Sequence, residues 1–160
     1  MTGSPVGPVG IRRFTHVAIR VADLDRSVRF YRDLLGFTER NRHVGTGGPS
    51  AMMLGNPGAA LSAVFLERDG AVVELQRLEG DDPTVVTGVQ RGLSHIGFTV
   101  SHLPAALEQV RAAGGHVLES SRYVDAPMGS EVIFVTDPDG TRIELIAVPS
   151  DVDLWRGRTD

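Results

Sequence analysis

Neither cysteine nor lysine occurs among the 160 residues. The first absence excludes disulfides, thiolate nucleophiles, iron–sulfur clusters and cysteine-ligated zinc. The second removes the side-chain amine needed for Schiff-base chemistry, pyridoxal phosphate attachment included. All 16 basic residues are arginine, which leaves planar, bidentate recognition of carboxylate or phosphate available. No apolar run approaches the ~20 residues that span a bilayer, and the first residues lack a charged-then-apolar signal pattern. A cytoplasmic protein with no membrane partner is expected. A net charge of −4 gives no reason to expect nucleic acid.

What the chain does contain is repetition. Ser94-His95-Ile96-Gly97-Phe98 restates Thr15-His16-Val17-Ala18-Ile19 at an offset of 79 residues, and Gly140 to Leu145 restates Gly70 to Leu75 at an offset of 70. Leu24, Val28 and Tyr31 are answered by Leu103, Leu107 and Val110, and Gly36 by Gly115. This i, i+4, i+7 spacing predicts an amphipathic helix in each copy, closed by a glycine able to take the left-handed conformation. Asp23 and Ser101 stand where N-caps are expected. Each copy reads strand, helix, strand, strand, strand, so the expected fold class is α+β: two βαβββ modules, expected to form a curved, cup-shaped mixed sheet around a metal site. A flexible leader is expected over 1–10, the first module over 11–78, a linker over 79–92, the second module over 93–148 and a tail with Trp155 over 149–160. The glycine-rich stretch from Gly45 to Ser50 is expected to be a loop; it lacks the strand-to-helix context and lysine of a phosphate-binding loop.

Strand alternation converts the repeat into a site. Val17, Ile19 and Val21 share the face expected beneath the helix, which turns His16, Ala18 and Arg20 to the other side. The second copy agrees, with Ile96, Phe98 and Val100 opposed to His95, Gly97 and Thr99. On the last strands Val73 and Leu75 oppose Glu74 and Gln76, while Ile143 and Leu145 oppose Arg142 and Glu144. A lone strand histidine is usually a satisfied polar residue. A carboxylate lodged twice in an apolar strand is costly unless exposed, paired or metal-bound, and here a histidine accompanies it in register each time. His16, Glu74, His95 and Glu144 are thus the expected ligands of one divalent ion per site. Nickel, cobalt, zinc, manganese, magnesium and iron all tolerate these donors. His43, His102 and His116 do not repeat and are expected at the surface, His43 in a loop. Met52 and Met53 are expected to fill core volume.

The segments Phe14 to Val21, Asp25 to Tyr31, Gly92 to Ile96 and Asp137 to Leu145 resemble those of the vicinal oxygen chelate superfamily. That superfamily includes glyoxalase I, methylmalonyl-CoA epimerase, extradiol dioxygenases, and fosfomycin and bleomycin resistance proteins. The resemblance covers about residues 13–148 and specifies the fold more closely than the reaction. The ligand order His, Glu, His, Glu is similar to that of bacterial glyoxalase I and of epimerases. Four protein ligands on an octahedral ion leave two adjacent positions, suited to an α-hydroxyketone or enediolate; oxygen activation would need a further one. By the same resemblance Glu144 is the base that leaves the ion to take a proton, and Glu74 serves the opposite face.

The leading expectation is a metal-dependent epimerase or isomerase. It would abstract a proton next to a carbonyl through a metal-bound enolate or enediolate, on a small polar ketone or acyl substrate. A glyoxalase I-type lactoylglutathione lyase is the first alternative; a ligand-binding or drug-resistance protein of the same fold, or a dioxygenase, is the second. A sequestering cup would be lined with aromatics, for which Phe65, Phe134 and Tyr123 are the candidates. Arg20, Gln76 and Arg142, with Phe65 and Phe134, are the expected substrate contacts. A homodimer is expected.

Overall fold

The computed structural model describes residues 13–46, 60–79 and 92–150, with Val9 and the short pairs Val152–Asp153 and Gly157–Arg158. Most of the expected leader, Gly47 to Ser50, Met52, Met53, most of the linker and Trp155 lie outside the described residues. Contacts divide the chain into two compact units, one of residues 1–24 and 36–81, the other of 25–35 and 82–160.

The first unit is a four-stranded mixed sheet of β1 (Val17–Arg20), β2 (Thr38–Thr46), β3 (Ala60–Arg68) and β4 (Ala71–Leu78), in the order β1-β4-β3-β2. β1 runs parallel to β4, and the other neighbours are antiparallel. Asp69 and Gly70 both have positive φ, 52° and 82°, and join β3 to β4 by the mirror-image tight turn that matches strand twist. Val64 and Leu66 pair with Leu75 and Val73, and all four are buried on one face. The opposite face carries Phe65 and Glu74, which are direct cross-strand partners. His43 is in β2 rather than in a loop. It lies opposite Ala63, on the face of Phe65 and Glu74, because β2 continues as far as Thr46.

The second unit repeats the sheet with β5 (Ile96–Thr99), β6 (His116–Asp125), β7 (Ser130–Thr136) and β8 (Arg142–Ala147), in the order β5-β8-β7-β6. The two orders are identical under the repeat, so the βαβββ reading holds. β9 (Val152–Asp153) and β10 (Gly157–Arg158) form a small antiparallel pair. Helix α2 (Leu103–Ala112) buries Leu103, Leu107 and Val110 on one stripe, as the spacing requires. Its N-cap is His102 and not Ser101: the imidazole Nδ1 accepts from Ala105 N at 3.2 Å, supplying a side-chain partner to an otherwise orphaned helix donor. Among the described residues no helix is long and apolar enough to cross a membrane.

Helix α1 (Leu24–Arg29), continued by a π-helical turn over Phe30–Leu34, groups with the second copy. The attachment is polar as well as apolar. Arg26 Nη2 donates to Asp139 Oδ1 at 2.5 Å, Ser27 Oγ to Asp139 Oδ2 at 2.9 Å, and Tyr31 Oη to Asp137 Oδ2 at 3.0 Å. Asp137 also accepts from the backbone N–H groups of Asp139 and Thr141 at 2.9 and 2.8 Å, which fixes the turn leading into β8. Burial pushes its carboxyl above the ordinary carboxylate range. Burial, with the neighbouring Asp137 charge, raises the Tyr31 hydroxyl well above its usual value.

The glycines after the two helices differ in role. Gly36 takes the left-handed conformation at φ 73°, as expected, but after α2 that conformation belongs to Gly114, φ 86°, and not to Gly115. Gly115 is there for close approach. A Cβ on it would collide with the Thr136 carbonyl oxygen and lie 2.8 Å from Val110 Cγ1 and 3.1 Å from Phe30. Neither backbone nor a buried valine can yield freely, so Gly115→Ala is expected to destabilise the protein by about 1–3 kcal/mol. Urea unfolding of the variant beside Gly114→Ala, which meets only Pro138 at 3.9 Å and bears a φ penalty, checks this.

Candidate metal centre

Each sheet assembles one imidazole and one carboxylate by the same construction. In the first unit His16 immediately precedes β1, and β1 lies parallel to β4 with Ala18 opposite Glu74. His16 Nε2 stands 3.1 Å from Glu74 Oε2. Phe65, opposite Glu74 on β3, presents its ring edgewise to His16 at 5.6 Å between centroids. In the second unit His95 immediately precedes β5, Gly97 is opposite Glu144, and His95 Nε2 stands 3.4 Å from Glu144 Oε2. Phe134, opposite Glu144 on β7, meets His95 edgewise at 5.1 Å.

The separations suit a shared ion. Two donors each ~2.1 Å from one ion, at angles between a right angle and tetrahedral, are ~3.0–3.4 Å apart. A direct N–H···O hydrogen bond spans about 2.7–3.2 Å, which includes the first pair and falls short of the second. Both rings turn Nε2 to the carboxylate, and in the second unit Ser94 Oγ lies 3.0 Å from His95 Nδ1. That hydroxyl can accept the Nδ1 proton and so leave Nε2 as the bare donor a metal requires. Ser94 was not among the expected site residues, although its place beside His95 is the signal for it.

The structure brings the four expected ligands together as two pairs. Among the described residues no group of three or more histidine, aspartate or glutamate side chains could hold an ion. The pairs also differ. The Glu74 side chain is 10% exposed and that of Glu144 is 25% exposed. Ala18 places a methyl beside Glu74, while a Cβ at Gly97 would lie 3.4 Å from Glu144 Oε2, so glycine leaves that side of Glu144 open. Arg20 and Gln76 are register partners two residues beyond Ala18 and Glu74, on the same face. Arg142 lies two residues before Glu144, its guanidinium carbon 5.6 Å from the centre of the Phe134 ring. Tyr123 is exposed on β6.

Two sheets of one strand order, each bearing a histidine before its first strand and a glutamate in its last, define a class of proteins built from two βαβββ repeats with a histidine and a glutamate in the same register in each. Residues 13–145 match the family model of the Glyoxalase/Bleomycin resistance protein/Dioxygenase superfamily, and the chain belongs to that family. It is 39% identical over 136 residues to the lactoylglutathione lyase of Haemophilus influenzae, covering 82% of this chain and 89% of that one. It is 33% identical over 141 residues to a probable lactoylglutathione lyase of Synechocystis, covering 86% and 97%. Among solved structures, a glyoxalase family protein from Bacillus cereus superposes with a TM-score of 0.74 over 92% of this chain and 98% of that one, at 16% identity. The trypanothione-dependent glyoxalase I of Leishmania major superposes with a TM-score of 0.59 at 28% identity, over 86% and 87%.

Proposed function

We propose that the protein is a metal-dependent lyase of the lactoylglutathione type, acting on the adduct of a thiol and a 2-oxoaldehyde. The relatives support this reading over the epimerase expected first. The observation that carries it is the pair of carboxylates, Glu74 and Glu144, each set beside a histidine in the same register. A hemithioacetal becomes a 2-hydroxyacyl thioester when a proton moves from one carbon to its neighbour, which needs a positioned base next to a polarised carbonyl.

His16, Glu74, His95 and Glu144 would hold one divalent ion; each pair supplies two of the four donors, and the expected homodimer offers a second pair from another chain. The ion, when bound, supplies Lewis-acid polarisation of the substrate's oxygens. The Glu144 carboxylate takes the proton from the thiol-bearing carbon, and the freed electron pair forms a double bond to the former carbonyl carbon. Return of the proton to that second carbon, with the hydroxyl proton passing between the oxygens, yields the thioester. Glu144 fits the mobile role because it is the more exposed carboxylate and has Gly97 beside it. Glu74, the less exposed of the two and opposite Ala18, fits the role of fixed ligand.

Purified protein freed of metal and reloaded with single divalent ions should convert the methylglyoxal–glutathione hemithioacetal to S-lactoylglutathione, followed by absorbance of the thioester. Activity should vanish on chelation and return with one ion per site. Solvent exchange at a carbon next to a ketone or acyl thioester, with no hemithioacetal turnover, would restore the epimerase reading instead.

A further inference from the structure

The second half-site carries two polar groups that the proton transfer does not use. Arg142 is half-buried, and among the described residues its guanidinium has no hydrogen bond or ion pair; it rests over Phe134. Thr136, its direct cross-strand partner, is 8% exposed, and its Oγ1 is buried with no hydrogen-bond partner. Alternation along β7 and β8 puts Thr136, Phe134, Arg142 and Glu144 on one face of the sheet. The two residues are cross-strand partners, and an unpaired cation and an orphaned hydroxyl are each costly when buried. One ligand satisfies both: an oxyanion, which accepts from guanidinium and hydroxyl together.

We propose that Arg142 and Thr136 form a subsite for a carboxylate of the substrate, about 7 Å along β8 from Glu144. This rests on the reading of the half-sites as a place where a substrate is turned over. The corresponding place in the first unit cannot do the same. There the cross-strand pair is Glu67 and Val72, and Glu67 is an acid already engaged by Arg40. The difference favours the Glu144 side for an anionic arm, because the equivalent position beside Glu74 offers a valine and an acid already paired with Arg40. The reacting carbon is thereby presented to the carboxylate that has room to move. The carboxylate can belong to the thiol carrier or to the reacting fragment, and the experiment separates these sources.

Binding to zinc-loaded protein is measured by calorimetry for two matched pairs: S-hexylglutathione against its diethyl ester, and malate against lactate, which lacks the second carboxylate. In wild type, the acid member of at least one pair should bind about ten- to a hundredfold more tightly, as expected for a hydrogen-bonded charge. A preference within the first pair places the carboxylate on the thiol carrier, and one within the second places it on the reacting fragment. Arg142→Gln should reduce that preference to within about twofold. Thr136→Val, which keeps the side-chain shape and removes the orphaned hydroxyl, should reduce it in part without loss of stability. The proposal is overturned if wild type discriminates neither pair, or if the preference survives both substitutions. Hemithioacetal turnover is a separate readout: its absence alongside a charge preference that depends on Arg142 would remove the lyase assignment and leave the subsite standing.

Discussion

Glu144→Gln is expected to lower hemithioacetal turnover by about 10²–10⁴-fold, the usual contribution of a positioned general base. The amide keeps an oxygen that can still ligate a metal but cannot accept a proton, so part of the metal affinity should survive. That split between affinity and turnover is the signature of a base rather than of a mere ligand. Glu74→Gln should be milder, because Glu74 is nearly enclosed and has a methyl group, from Ala18, opposite it on the neighbouring strand. The measurement is solvent deuterium incorporation at the reacting carbon together with metal content, for each variant and for wild type. Near-normal exchange by metal-loaded Glu144→Gln would place the base elsewhere. His43 would then be the next residue to substitute, since it lies on the same face of the first sheet as Glu74.

The repeat made most of the fold legible. A 79-residue shift carries His16 to His95 and helix α1 to α2, and a 70-residue shift carries Glu74 to Glu144. Period-two alternation then assigns Glu74 and Glu144 to the face away from Val73 and Leu75 or from Ile143 and Leu145, where the structure has them. Local patterns could not report what depends on partners distant in sequence. The attachment of α1 to the second copy rests on Asp137 and Asp139, more than a hundred residues away, and an amphipathic stripe states only that a face is buried. Gly114 and Gly115 are adjacent, and spacing alone cannot say which one takes positive φ and which one admits the Thr136 carbonyl. His102 displaced Ser101 as the cap because an imidazole nitrogen can accept from a helix N–H, a role rarely credited to histidine. The proximity of each histidine to its glutamate was legible as register. Which two pairs would complete one site was not, since equal periodicity in both copies carries no information about which donors meet.

That grouping is what the second large effect addresses. His16→Ala and His95→Ala should each abolish stoichiometric metal binding and with it turnover, because each removes the only imidazole of its pair. The remaining glutamate would then face an ion without its nitrogen partner. If a complete site joins the His16–Glu74 pair of one chain to the His95–Glu144 pair of another, mixing the two inactive variants should restore activity. A mixed dimer would then hold one site with both lesions and one site with none. Random reassociation after unfolding should therefore recover roughly a quarter of wild-type activity and metal content. If each site is completed within a single chain, every site in the mixture keeps one lesion and nothing is recovered. Retention of one tightly bound ion per site by the His16→Ala, His95→Ala double variant would sink the four-ligand assignment itself, whichever way the pairs combine.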